Sequence, residues 1–391
     1  MRFAVDAHAI GRHLTGNEVY IRSLLRSFAS LDKTSEFIAY ISATGAESWI
    51  PERFSVRRVS GNPYKRLGWD LGQAVRADKP DLLHVQYTSP LRTSVPTVVT
   101  VHDVSFLKHP EYFTAMRRAQ LRITVAQTVK TAARIITVSE FSRDAILEAY
   151  GVSPDTVHVV PNAANPDFRV IGRDKARAIA AEYLKMDSPF ILSVADLQPR
   201  KNQIGLIAAF AKLMAEMPRL KHHLVLTGQE TWFTPKVKEA ARASGFAARI
   251  HFTGFASDDQ LLGLYNACEC FAFPSFYEGF GLPILEAMAC GRAVACSNTS
   301  AMPEVADGAG LLFNPADVDD IKRALMDILV DGELRARMER LGLQRASLFT
   351  WQKSARATLD IYKDVYQEIK SSHQRTSPKR DRVEGVGHRK R

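Results

Sequence analysis

Residues 270–291 read CFAFPSFYEGFGLPILEAMACG, and the parsing of this stretch decides the fold. CFAF is apolar throughout, which suits a parallel strand covered on both faces better than a strand with one wet side. Pro274 and Ser275 end it. Gly279 and Gly281 flank Phe280, and without Cβ atoms they let the backbone come close to a ligand. Pro283 predicts a helix that begins there, since the first turn needs no N–H from it. That helix runs through Glu286 to Ala289, with Gly291 placed to stop it. The free amides at its start would face a ligand beyond the strand's carboxyl end and suit a diphosphate. Glu278 then lies in the loop and Glu286 in the early turns of the helix.

The same unit repeats outward in both directions. Towards the N-terminus, FAVDA (3–7), EFIAYI (36–41), LLHV (82–85), TVVTV (97–101), RIITV (134–138) and VHVVP (157–161) read as strands. Amphipathic segments 18–30, 67–77, 114–130 and 140–149 separate them. The series then restarts with FILSVA (190–195), HLVLTG (223–228), IHFTG (250–254), CFAFPS, AVACS (293–297) and LLF (311–313). Helices are expected near 202–216, 235–243, 258–267 and 283–290, and three more over 317–330, 333–347 and 352–369. Two β/α series predict an α/β chain of two Rossmann-like domains facing each other across a cleft. The break falls where PNAANPDF (161–168) supplies turn residues, followed by a charged stretch. This gives a first domain over 1–165, a second over 166–351 and a closing helix over 352–369.

At 391 residues the chain is long enough for two such domains. No apolar run approaches the roughly 20 residues of a membrane span, and MRFAVDAHAIG reads as a first strand rather than a signal peptide. Cys268, Cys270, Cys290 and Cys296 form no CxxC pair, so buried free thiols in a reducing compartment are expected and zinc is not. Of the net charge of +10, residues 370–391 supply +6, from eight basic and two acidic residues. Such a tail is expected to be disordered. It could touch an anionic membrane surface or simply remain solvated. The body lacks an aromatic-plus-basic module, and no nucleic acid is expected.

Two further segments follow strands and so fall where open α/β sheets bind ligands. ADLQPRKN (195–202) brings Arg200 and Lys201 beside a helix start that Asn202 can cap. Two cations there would neutralise a leaving diphosphate without a metal, although alone they also fit a solvated basic turn. VHDVSFLKHP (101–110) places His102 and Asp103 for acid/base work or for clamping a sugar. A plainer turn, with Asp103 capping an amide and His102 packed, fits the same residues.

Together these segments resemble the retaining glycosyltransferase family 4, of GT-B fold, over roughly residues 1–369. Its EX7E pair aligns with Glu278 and Glu286. By that resemblance Glu286 holds the ribose hydroxyls, Glu278 contacts the donor sugar, and the backbone of Gly279, Phe280, Gly281 and Leu282 cradles sugar and phosphate. The resemblance gives Arg200 and Lys201 to the diphosphate and brings His102, with Asp103, to the donor sugar. Members carry an Arg where this chain has Asp196. TGNEVYIRSLL (15–25) resembles the first glycine loop, with Gly16 passing the diphosphate, and FTGF (252–255) sets Phe255 near the base. VSEFSRDAI (138–146) makes Ser139 a helix cap and places Ser139 and Arg143 near an acceptor path. In SAMPEV (300–305), Glu304 is structural or lies near the base edge. TWQKSARATLDIYKDVY (350–366) resembles the closing helices.

The resemblance implies transfer with retention from a nucleotide-sugar donor, with no cofactor and no metal. The pattern is most similar to mannosyltransferase-like members of O-antigen or exopolysaccharide assembly, which makes GDP-mannose the expected donor. A glycan or lipid-linked glycan is the expected acceptor. UDP-glucose or UDP-N-acetylglucosamine transfer is the first alternative. A nucleotide-sugar epimerase or a non-catalytic nucleotide-sugar-binding protein follows. A cytoplasmic location, peripheral on the inner face of a membrane, fits such an acceptor.

Overall fold

The computed structural model describes residues 1–12 and 15–376. Its first sheet holds seven parallel strands: β1 (Arg2–Asp6), β2 (Glu36–Ile41), β3 (Ser55–Arg58), β4 (Leu82–Gln86), β5 (Thr97–Thr100), β6 (Arg134–Thr137) and β7 (Val157–Val159). They lie in the order β3-β2-β1-β4-β5-β6-β7. The second sheet holds β8 (Phe190–Val194), β9 (His223–Thr227), β10 (Ile250–Gly254), β11 (Cys270–Phe273), β12 (Val294–Ser297) and β13 (Leu311–Phe313). Its order is β10-β9-β8-β11-β12-β13, again all parallel. Strand order reverses at β1/β4 and at β8/β11, and such switch points open ligand crevices at the strands' carboxyl ends.

The longer helices between strands are α1 (Thr15–Leu31), α2 (Leu71–Asp78), α3 (Ala115–Thr131), α4 (Glu140–Tyr150), α5 (Arg173–Leu184), α6 (Gln203–Glu216), α7 (Thr234–Ala243), α8 (Asp258–Ala267) and α9 (Leu282–Ala289). After β13 come α10 (Val318–Val330), α11 (Gly332–Ser347) and α12 (Trp351–Thr376). Sequence signals account for their ends. Ser139 accepts from the amide of Ser142 at the start of α4, and Ser257 closes a reciprocal capping box with Gln260 on α8. Asp317 caps α10, and Asp331 caps α11.

The helices cover both faces of each sheet, so the central strands are buried throughout. Helix α12 does not stay with the second sheet. Trp351, Ala355, Leu359, Tyr362 and Val365 enter one apolar core with Phe3, Phe28 and Phe37 of the first.

Several expectations need correction. Strand β3 was not expected: SVRR is exposed along its length, so no apolar run marks it. Helix α5 occupies the expected charged stretch and packs through Ala176 and Ala180, too small to read as an apolar stripe. The segment 67–77 is a π-turn over Arg66–Asp70 running into α2. Helix α9 starts at Leu282, with Pro283 in its second position. Residues 370–376 of the expected disordered tail continue α12, and 377–391 lie outside the described residues. All four cysteines are buried and free.

Candidate active site

The carboxyl ends of the two sheets enclose a cleft of about 990 Å³. Gly16, His102 and Asp103 line it from the first domain. Arg200, Lys201, Phe255, Glu278, Gly279, Phe280, Gly281, Leu282 and Glu286 line it from the second.

The loop after β11 is held on three sides. The amide of Phe276 donates to the carbonyl of Arg200 at 2.8 Å, and Arg200 Nη1 returns a bond to the carbonyl of Tyr277 at 2.6 Å. The Glu278 amide donates to Ser300 Oγ at 2.9 Å. Both carboxylate oxygens of Glu278 are committed: Oε2 accepts from Arg200 Nη1 and Oε1 from Lys201 Nζ, each at 2.7 Å. Burial alone would raise this carboxyl, but Arg200 and Lys201 hold it down to about 2. Lys201 is itself lowered, by burial and by Arg200 beside it. The triad is therefore a buried, net-positive cluster. Glu278 does more than the spacing suggested, because it fixes both cations in place.

Past Glu278 the backbone turns into α9 through Gly281, whose φ of +110° is a conformation that L side chains rarely adopt. Among the described residues, the amides of 279–282 take no acceptor. They lie at the positive end of the α9 dipole, in the same cleft as Arg200 and Lys201. One turn into α9, the buried Glu286 accepts from Tyr265 Oη at 2.8 Å. Burial pushes its carboxyl up to about 7, against the Tyr265 bond and with help from Asp258. The two glutamates, eight positions apart, are driven in opposite directions by their surroundings.

On the opposing wall, His102 Nε2 lies 2.9 Å from Gln86 Oε1, an acceptor, which puts the ring proton on Nε2. Enclosure lowers its pKa to about 4, against the pull of Asp103, so the imidazole is neutral near pH 7. The Tyr20 ring packs against it in a T-shaped pair, with ring centres 4.7 Å apart. Asp103 Oδ1 accepts from both the amide and the hydroxyl of Ser105. His102 thus suits a hydrogen-bonding clamp rather than a general acid.

The loop after β11 and the first domain are stitched together. Ser139 Oγ donates to the Gly279 carbonyl at 2.7 Å, and Ser142 Oγ reaches the same carbonyl at 3.1 Å. Glu304 crosses between domains to accept the amides of Glu140 and Phe141 at the start of α4. It is therefore a cap and does not lie at a base edge. A Cβ on Gly279 would meet the His102 carbonyl at 2.2 Å, so only glycine fits this approach.

The expected acceptor residues are not in the cleft. Ser139 is fully buried, with its hydroxyl spent on Gly279, and Arg143, paired with Glu140, is absent from the lining. Asp196 uses Oδ1 to accept the Gln229 amide and so shapes the turn after β9. Sequence reading also missed several residues of the cleft wall. Arg22 sits over the Trp49 ring at 3.4 Å, and Tyr87 holds a φ of +60° at the end of β4. Arg22 and Trp49 are 27 positions apart on separate elements, and no motif links them. Among the described residues no group of His, Cys, Asp and Glu could hold a metal ion, and no helix is long and apolar enough to cross a membrane.

Comparison with known proteins agrees with this geometry. Residues 14–168 match the model of Glycosyltransferase Family 4, and residues 174–345 that of Glycosyl transferases group 1. An O-antigen chain mannosyltransferase B from Escherichia coli is 33% identical over 68% of this chain and 70% of its own length. A serotype-specific mannosyltransferase WbdA from the same species is 30% identical over 69% of this chain, which spans only 34% of that longer protein. Among solved structures, Anabaena HepE in complex with UDP-glucose superposes with a TM-score of 0.74 at 20% identity, covering 92% of this chain and 99% of that one. With its two parallel sheets, its cleft and these matches, the chain belongs to glycosyltransferase family 4 and has the GT-B fold.

Proposed function

We propose that this glycosyltransferase is a retaining hexosyltransferase that moves mannose from GDP-mannose to a glycan or lipid-linked glycan. The observation that carries the reading is the convergence of Arg200, Lys201 and the amides of 279–282 on one part of the cleft. A leaving nucleoside diphosphate gathers negative charge as the glycosidic bond breaks, and preorganised donors and cations favour that state. Glu286, when ionised, can accept both hydroxyls of a ribose diol. His102, as a neutral ring, clamps a sugar hydroxyl.

The family resemblance is what favours retention, and the use of three nearby carboxylates bears on whether the step runs through a protein nucleophile. Glu278 is tied to two cations, Asp103 to Ser105 and Asp196 to Gln229. Glu278 has both oxygens committed, and Asp103 and Asp196 each have one, so none of the three is a free carboxylate. Attack by the acceptor hydroxyl on the face the diphosphate leaves, with a phosphate oxygen taking the proton, needs no protein nucleophile. Closure of the two domains would exclude water and limit donor hydrolysis.

Mannose is favoured by the two E. coli relatives, both named mannosyltransferases. UDP-glucose is the second reading, because HepE binds it on the same fold. A thermal-shift series with GDP, UDP and their sugars at equal concentration tests the base, since the ligand that binds more tightly raises apparent stability more. Incubation with GDP-mannose and an oligosaccharide acceptor, followed by NMR of the new anomeric centre, tests the transfer. Donor epimerised without acceptor, or bound without turnover, would reject it. So would full activity in folded Lys201→Ala and Glu286→Ala variants.

A further inference from the structure

A second cavity, of about 540 Å³, lies in the seam between the domains. Lys108 and His109 line it from the first domain, with Phe141, Asp144 and Glu148 of α4. The first two follow His102 and Asp103 in VHDVSFLKHP, yet they are not part of the cleft wall. Phe276, Tyr277, Thr299 and Ser300 line the cavity from the second domain. It shares no lining residue with the cleft.

The chemistry of this wall differs from that of the cleft. The centre of the Tyr277 ring lies 5.0 Å from that of His109 and 5.4 Å from that of Phe141. Phe141 and Phe276 are half-buried, so ring surface remains for a ligand. The ionised groups are one lysine and two carboxylates. Lys108 Nζ pairs with Glu148 Oε2 at 2.6 Å, and Asp144 stands exposed beside them. That balance disfavours a phosphate, which the cations of the cleft attract. It fits a neutral sugar, whose C–H faces pack on aromatic rings and whose adjacent hydroxyls can both donate to one carboxylate.

The same wall backs the Arg200–Lys201–Glu278 cluster. Thr299 Oγ1 donates to the Phe276 carbonyl at 3.0 Å. Phe276 and Tyr277 are tied through their backbones to Arg200, and Ser300 Oγ accepts the Glu278 amide. Ser300 does this from a φ of +53°, a conformation uncommon for a residue with a side chain. Backbone held in this way clusters at functional sites. A ligand in the seam would therefore touch both domains and the segment that orients Glu278.

We propose that the seam cavity is a second saccharide site, which takes a neutral sugar residue of the acceptor glycan remote from the one that is glycosylated. Asp144 and Glu148 accept its hydroxyls, and Phe141 and Phe276 flank its ring. Because both domains contribute, a bound sugar favours the arrangement in which Ser139 and Ser142 hold the Gly279 carbonyl. A long acceptor thereby helps to set the site that acts on its end. This deepens the proposed function and rests on it for the identity of the glycan, whereas binding at the seam is measured without a donor.

The test uses the full chain with α-linked mannohexaose as the probe. Without donor, the oligosaccharide should slow hydrogen exchange in 105–112, 140–150, 276–278 and 299–300. Saturation-transfer NMR should show binding weakened about tenfold by Asp144→Ala combined with Glu148→Ala, and also by Phe141→Ala, with circular dichroism unchanged. With GDP-mannose, the double carboxylate variant should raise KM about tenfold for mannohexaose and leave KM for methyl α-mannoside as it is in the parent. Protection confined to α1 and the cleft would overturn the proposal, as would equal binding by parent and variants. So would a KM that rises equally for both acceptors, because the carboxylates would then act on the cleft rather than on a remote sugar. Seam protection without turnover of GDP-mannose or UDP-glucose would count against the transferase reading and leave the saccharide site standing. Turnover without seam protection would do the reverse.

Discussion

Glu278 and Glu286 are the same side chain in the same cleft, and their surroundings give them opposite acid strengths. Glu278 is fixed ionised by two cations, so its contribution to stability is present above its ordinary 4.5 and is lost as the pH falls towards 2. Glu286 keeps its proton up to about 7 in the fold but only up to 4.5 in the unfolded chain. Between those values the folded state binds more protons, so stability falls as the pH rises through this window and then levels off. The difference corresponds to about 3 kcal/mol. Glu286→Gln keeps an acceptor for Tyr265 and removes the titration. It should match the parent near pH 5 and melt several degrees higher near pH 8. A variant whose melting temperature follows the parent across this range would refute the assignment. The same substitution should abolish tight donor binding, the usual conflict between stability and a functional charge. Lys201→Ala attacks the other glutamate's partner. It should lower kcat by about a hundredfold or more, while circular dichroism shows the fold retained; near-normal turnover would remove Lys201 from the phosphate site.

Among the elements, the junction of α4 with the donor loop has the clearest consequence. The Gly279 carbonyl is held by two hydroxyls from the other domain, and Glu304 caps the helix that carries them. The donor loop therefore takes its orientation from domain contact. Ser139→Ala with Ser142→Ala should raise KM for the donor and lower kcat together, and Ser139→Thr should restore part of both. Gly279→Ala should be worse, because its Cβ would sit 2.2 Å from the His102 carbonyl and hold the domains apart. Small-angle scattering should then show a larger radius of gyration; an unchanged radius with full activity would sink this account. None of this pairing was legible in the sequence, where Ser139 read as a cap near the acceptor and Glu304 as structural or near the base. Both are joined to residues over 130 positions away, and spacing carries no trace of such contacts. The strands were legible because two-sided burial makes them mostly apolar, as in CFAF. Strand β3 and helix α5 were not, since an exposed edge strand and an alanine-packed helix leave no apolar periodicity.

At the scale of the whole molecule, the chain crosses between domains twice, and α12 returns the C-terminal end to the first core. The return is polar as well as apolar. Tyr362 Oη lies 2.5 Å from His84 Nδ1, and His84 Nε2 lies 2.7 Å from Thr100 Oγ1, which in turn lies 2.8 Å from Tyr20 Oη. Burial raises the Tyr362 hydroxyl well above its ordinary value and lowers His84 to about 3. Tyr362 therefore donates to a neutral ring, and His84 Nε2–H donates in turn to Thr100 Oγ1. Tyr20, at the end of this relay, is the ring packed on His102. The last helix thus braces the wall of the active site from behind. Tyr362→Phe removes one donor and leaves His84 Nδ1 unpaired, at a cost of about 1–3 kcal/mol. Leu359→Ala empties part of the core that α12 shares with β1 and α1, at a cost of about 2–5 kcal/mol. Both changes lie in the second half of the sequence, yet both should loosen the first domain. Hydrogen exchange should rise in β1, β2, β4 and α1 and stay unchanged in β8, β9, β11 and β12. Deprotection centred on the second sheet would mean that α12 belongs energetically to the domain it follows in sequence, and that the wall behind His102 stands without it.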